Sequence, residues 1–299
     1  MSAGGVSIRR RALLRGLLAC GMAPLLAHAG GDVGVIYPRP ESPRDHRFDY
    51  YWQLLQRALE LTAKTPDEAR LTPSTLPMNQ ARAAQMLAEG EIDVLVRSTS
   101  IELERRFLPI RIPLDKGLLG YRVFLLRRSL LPQLATVRSF EELRRFSIGQ
   151  GTGWNDVPAL RAAGLQVVEG ADYEGLFKML LAGRFDLFSR SVVEVQDEYT
   201  MRHEAMPELA IDSSLLLYYP LARYCFVARS DAGAALARRI ETGLRRMQAD
   251  GSFDRLFNAY ARPIVGELGL RSRRLFRIAN PVLPPETPLS DKSLWYDPF

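Results

Sequence analysis

Cysteine is almost missing from this chain: two residues, Cys20 and Cys225, in 299. An internal disulfide framework is excluded once the N-terminal segment described below is removed, because a single thiol then remains. Cys225 lies in the apolar run Tyr224-Cys225-Phe226-Val227 with no histidine near it in sequence, which marks a core residue rather than a nucleophile. Histidine is nearly as scarce, with three residues. Neither His46 nor His203 has a partner at metal-ligand spacing, so no metal site is expected. There is no G-x-S-x-G elbow. Gly149-Gln150-Gly151-Thr152-Gly153-Trp154 opens like a dinucleotide loop, but Trp154 stands where the third glycine belongs, and an indole there blocks the helix–sheet approach that the loop requires. No pair of carboxylates stands out as acid and base. No catalytic residue and no cofactor is therefore expected. Internal repeats and low-complexity tracts are also lacking.

Long apolar runs are lacking too, with one exception near the start. Arg9, Arg10 and Arg11 precede Gly16 to Leu26, and Ala27-His28-Ala29 follows as a small-x-small cleavage pattern before Gly30. This reads as a secretory signal over residues 1–29, and the apolar run is too short to span a bilayer comfortably. Arg10-Arg11-Ala12-Leu13-Leu14-Arg15 resembles a twin-arginine signal, and Leu17-Leu18-Ala19-Cys20 offers a looser alternative, lipidation at Cys20. The segment also explains the charge. The chain carries 40 basic and 34 acidic residues, a net of +6; four of the arginines lie in this segment with no acid beside them, which leaves 36 against 34. The remaining arginines are scattered, which points to individual anion contacts and away from a nucleic-acid surface. The expected location is the periplasm, with no membrane span after processing.

The mature chain alternates short apolar runs with amphipathic stretches, the pattern of βαβ units. Strands are expected at Val33–Tyr37, Ile92–Val96, Leu119–Leu126, Phe146–Gly149, Leu165–Val168, Phe185–Ser189, Leu215–Tyr219 and Ala222–Ala228. Helices are expected at Tyr50–Thr62, Met78–Glu89, Ser139–Arg145, after Asn155 or Asp156, at Tyr173–Ala182, from Ser191 to about Arg202, at Ala232–Ala249 and near Phe253–Tyr260. The fold class is α/β. The architecture is a two-lobed clamshell with a mixed sheet and flanking helices in each lobe and two hinge crossings. One lobe takes residues 30–122 and 222–270, and the other takes 123–221. The proline-rich segment 271–299 is not a helix; either Leu294, Trp295 and Tyr296 pin it to a lobe surface as a strap, or it is disordered. Ligands in such sheets lie beyond the carboxyl ends of the strands, which selects the loops Tyr37–Arg39, Arg97–Ser100, Gly151–Asn155 and Ser189–Ser191.

Five segments in this order carry a resemblance. They are Leu87-Ala88-Glu89-Gly90-Glu91-Ile92-Asp93-Val94, Ser100–Arg106, Gly149-Gln150-Gly151-Thr152, Leu181-Ala182-Gly183-Arg184-Phe185-Asp186 and Met247-Gln248-Ala249-Asp250-Gly251-Ser252-Phe253. Together they resemble the periplasmic amino-acid-type solute-binding proteins of ABC importers, the extracellular solute-binding family 3. The resemblance implies that Arg105 grips a ligand carboxylate, with Ser98, Ser100 and Thr152 completing its pocket. A guanidinium fork suits two carboxylate oxygens. Tyr37 and Trp154 would supply apolar walls, and Arg39 lies beside them. The alternative for Arg105 is a surface salt bridge to Glu102 or Glu104.

The departures from that pattern bear on the ligand. Arg190 and Ser191 stand where members that bind α-amino acids carry an aspartate for the ammonium group, Glu194 lies one turn on, and Arg97 replaces a small polar residue. Two added cations and a missing acid suggest an anionic ligand such as a dicarboxylate; the alternative is that Arg97 and Arg190 pair with Glu194 or face solvent. The expected function is capture of a small polar, carboxylate-bearing ligand by a monomer that serves an ABC permease or a membrane sensor. An enzyme on the same scaffold, similar to the cyclohexadienyl dehydratases with Glu194 as the acid, and a ligandless interaction scaffold are the competing readings.

Overall fold

The computed structural model describes residues 34–40 and 45–299. The signal segment, Cys20 and the start of the first expected strand lie outside the described residues. Twelve strands follow in chain order: β1 (Val35–Arg39), β2 (Leu71–Pro77), β3 (Val94–Ser98), β4 (Leu108–Ile110), β5 (Tyr121–Arg127), β6 (Ser147–Gly151), β7 (Gln166–Gly170), β8 (Leu187–Ser191), β9 (Leu209–Ile211), β10 (Leu215–Tyr218), β11 (Arg223–Val227) and β12 (Arg274–Arg277). The helices that position the site are α1 (Asp49–Glu60), α2 (Gln80–Glu89), α3 (Ile101–Arg106), α4 (Asp156–Ala162), α5 (Tyr173–Leu181), α6 (Val195–Thr200), α7 (Asp231–Ala249) and α8 (Ser252–Glu267).

Two lobes arise because the strands sort into separate sheets. One lobe holds the parallel pair β1–β2 and the three-stranded sheet β3-β11-β4. Strand alternation gives that sheet two apolar faces. Val94, Val96, Cys225 and Val227 pack with Leu54, Leu55 and Leu59 of α1 and Ile240 and Leu244 of α7, whereas Leu95, Tyr224 and Phe226 pack with Ala84 and Leu87 of α2 and Leu103 of α3. The Cys225 thiol is wholly buried, and that burial pushes it up to about 12, so it is an inert core group. The other lobe is a seven-stranded sheet ordered β12-β10-β5-β8-β6-β7, with β9 also paired to β5. Its β5 is antiparallel to β8 and β10, while β8, β6 and β7 run parallel, the mixed character expected. Fully burying each leucine or phenylalanine of these faces contributes about 1.5–3 kcal/mol.

The chain crosses between the lobes from β4 to β5 and from β10 to β11, the two crossings read from the sequence. A third crossing was not read: after α8 the chain returns to the seven-stranded sheet as β12, an edge strand parallel to β10. Its four residues, Arg-Leu-Phe-Arg, are too short and too charged to show a strand period. β2 also escaped, because Pro73 and Pro77 speak against a strand; as an edge strand paired only to β1 it tolerates them. Among the described residues no helix is long and apolar enough to cross a membrane.

Candidate functional site

The site is assembled where the carboxyl ends of β3 and β8 face each other across the gap between the lobes. A polar pocket there is lined by Arg47, Gln80, Ser98 and Arg223 with the three-stranded sheet, and by Leu119, Arg122, Trp154, Asn155, Asp156, Arg190 and Glu194 with the seven-stranded one. Four of its residues were named from the sequence: Ser98, Trp154, Arg190 and Glu194.

Charge pairs dominate it. Arg190, in β8, donates from Nε to Glu198 Oε2 at 2.7 Å and from Nη2 to Glu198 Oε1 at 2.6 Å, and the same Nη2 lies 2.9 Å from Glu194 Oε2. Arg223, in β11 of the other lobe, donates from Nη2 to Glu194 Oε1 at 3.0 Å. Arg122, in β5, meets Asp156 Oδ2 at 2.8 Å and donates to the carbonyls of Leu119 and Ser189. All of these side chains are buried; Arg122 and Arg190 are among the largest fully buried side chains of the described residues. Buried charges persist only when paired and hydrogen-bonded. Burial alone would raise the Glu194 carboxyl, but the guanidinium groups of Arg190, Arg223, Arg122 and Arg47 outweigh it and hold the group well below the usual carboxylate range. Burial alone would lower Arg190, and the carboxylates of Glu198 and Glu194 reverse that.

Aromatic faces complete the packing of the cations. The Arg190 guanidinium carbon lies 4.8 Å from the Trp154 ring and 4.9 Å from that of Phe188, and Arg223 lies 4.8 Å from Tyr51 and 5.1 Å from Phe48. Trp154 folds back over Gly151, where a Cβ would fall 2.2 Å from the indole. The bulky residue that breaks the dinucleotide pattern is thus a wall of this pocket.

The saturation of donors and acceptors is uneven. Both oxygens of Glu194 and both of Glu198 are engaged. The cations are not: Nε and Nη1 of Arg223 and Nε of Arg122 are buried without a hydrogen-bond partner. Asn155, one of the two residues expected to cap the helix, takes the cap position of α4 but makes no side-chain capping bond. Its Nδ2 crosses the gap instead and donates to the Ser98 carbonyl at 2.5 Å.

The other residues named from the sequence lie elsewhere. Arg105 is exposed on α3 and lines neither this pocket nor its neighbours, while Glu104 turns inward to Thr99 and Arg111. Ser100 caps α3 by accepting from the Leu103 amide. Ser100, Arg97 and Thr152 line an adjoining pocket that shares Gln80 and Asn155 with the first. Thr152 is exposed there, and its amide and hydroxyl both donate to the Gly170 carbonyl. Arg97 donates to the Gln80 carbonyl, and burial, then the charge of Arg106, push it down to about 10. Tyr37 packs against Trp52 in a tilted pair with ring centroids 4.4 Å apart and does not line the polar pocket. Arg39 borders an apolar pocket with Phe48, Trp52 and Met78. Ser191 is buried and donates to the Leu118 carbonyl at 3.4 Å. Arg122 and Arg223 were missed, though each is a charge set against an apolar strand run, a signal that it must meet a partner. Among the described residues no cluster of three or more His, Cys, Asp and Glu could hold a metal ion.

No protein-family model matches the chain, and no curated protein does. Solved structures do match in fold. An arginine third transport system periplasmic binding protein from Legionella pneumophila superposes with a TM-score of 0.57 at 14% identity, covering 76% of this chain and 99% of that one. A histidine kinase sensor domain with similarity to periplasmic binding proteins gives 0.53 at 18% identity, covering 76% and 95%. An ancestral amino acid-binding protein, a precursor of cyclohexadienyl dehydratase, gives 0.54 at 13% identity, covering 76% and 93%. The chain therefore has the two-lobed fold of periplasmic binding proteins, here with a charged cleft of its own.

Proposed function

We propose that this is an exported solute-binding protein that captures a small, anionic, carboxylate-bearing ligand in the cleft and presents it to an ABC permease or a membrane sensor. One observation carries the reading: both oxygens of Glu194 are engaged by arginines while Arg122 and Arg223 keep buried, unpaired nitrogens. A buried donor left unpaired costs about 1–3 kcal/mol, more when charged, and a carboxylate entering the pocket relieves that cost. The boundary expected at residue 122 moves to the start of β5: residues 30–120 and 222–270 belong to the lobe of the three-stranded sheet, and 121–221 with β12 to the other. Segment 1–29 is removed on export.

The lyase alternative asks Glu194 to donate a proton. A carboxyl held ionised by four arginines carries no proton to donate near neutral pH and takes one up poorly, so the geometry favours capture. The test is a thermal-shift panel of mature protein with amino acids, mono- and dicarboxylates, sugars and polyamines. At about a hundred times its dissociation constant, a ligand adds about 2.7 kcal/mol of stability. An acid that shifts the melting point while its amide does not supports the reading. A shift confined to sugars or polyamines contradicts it.

A further inference from the structure

We infer that residues 278–299 are a strap that ties the two lobes together across their crossings and limits how far the cleft opens. The first two crossings lie side by side, the Tyr219 amide donating to the Gly120 carbonyl at 3.2 Å. The strap leaves β12, at the edge of the seven-stranded sheet, and runs along them. The Ile278 amide donates to the Tyr218 carbonyl at 2.9 Å, and Asn280 Nδ2 donates to the Pro220 carbonyl at 2.9 Å. The Val282 carbonyl then accepts from the Ile101 amide at 3.0 Å, at the start of α3 in the other lobe. Within five residues the strap has passed from one lobe to the other.

It then turns back and closes on the remaining crossing. Leu294 is buried, and the Trp295 indole covers Gly117. Gly117 has φ +77°, and a Cβ there would lie 2.2 Å from the indole, so the turn conformation and the contact both require glycine. The Tyr296 amide donates to the Lys116 carbonyl at 2.8 Å, and Arg271 Nε donates to the Pro298 carbonyl at 2.7 Å.

Lobe opening is absorbed by a few residues in the crossings. Here the carbonyls of Lys116, Tyr218 and Pro220, in those same crossings, are held by the strap. Opening must break these bonds or lift the strap. Five prolines, at 281, 284, 285, 288 and 298, restrict the freedom it would gain by detaching.

The experiment needs no ligand, so its outcome is separate from the ligand reading. Hydrogen exchange and small-angle scattering are recorded on the mature protein, on a chain ending at Arg277, and on the double variant Asn280→Ala/Trp295→Ala. The expected result is exchange about tenfold faster at the amides of Ile101 and Tyr219, with a larger radius of gyration and unchanged exchange within β5 and β8. Wild-type exchange at Ile101 and Tyr219 would overturn the inference. So would equal acceleration of every slow amide, which would make the segment a part of the core. If the shortened chain does not fold, the double variant decides.

Discussion

Glu194 and Arg223 meet at 3.0 Å across the gap between the lobes, one placed just after β8 and the other within β11. Both are buried, and Glu194 is shared with Arg190. Replacing Glu194 with glutamine removes the one anion that faces both cations. Breaking a buried pair costs about 3 kcal/mol or more, because the partner charge stays buried. Glu194→Gln should lose about that much in urea unfolding. A change below about 0.5 kcal/mol would mean that the cross-cleft pair contributes nothing to the native state.

Asp115 makes the acid side of the stability profile testable. It lies in the first crossing, wholly buried, accepting from the Tyr51 hydroxyl at 3.0 Å and the Gly117 amide at 3.1 Å. Burial raises its carboxyl to about 6, opposed by Arg223 and by these two bonds. The unfolded chain ionises it near 3.9. The folded state thus holds this proton more tightly, and its contribution is fully present below about pH 4 and lost as pH rises to about 6. Relative to wild type, Asp115→Asn should gain about 2–3 kcal/mol between those pH values. Unfolding curves at both pH values check it; a constant difference would refute the shift.

Much of the fold was legible because its strands and helices are strongly patterned. Expected and observed elements agree within a few residues for β5, β6, β10, β11, α1, α5 and α7. The Pro-bearing β2 and the Arg-flanked β12 were not legible, since each is recruited as an edge by a neighbouring strand that local sequence does not reveal. The site was half legible. Strand ends located Ser98 and Arg190, and the broken glycine pattern drew attention to Trp154. Arg223 and Arg122 pass for interior strand positions until the lobes are brought together. The sequence leaves Arg190 either as an added cation in the cleft or as a partner of Glu194; it pairs with Glu194 and also with Glu198, eight residues on.

The Trp154 wall gives a third prediction. Gly151→Ala places a Cβ against the indole, which must swing off Arg190. Overpacking of this kind costs about 1–3 kcal/mol. Tryptophan fluorescence should change together with the melting point. A variant with wild-type spectrum and stability would show that the indole does not lie over Gly151.

The most direct test of the central claim compares three variants by calorimetric titration with the acid found in the thermal-shift panel. Arg223→Gln and Arg122→Gln each remove a pocket-lining guanidinium that has buried, unpartnered nitrogens, and each should weaken binding at least about a hundredfold, the roughly 3 kcal/mol of a charge-assisted bond. Arg105→Gln, exposed on α3, should bind like the wild type. Loss of binding in Arg105→Gln, with Arg223→Gln and Arg122→Gln unaffected, would contradict the account and move the ligand to the loop after β3.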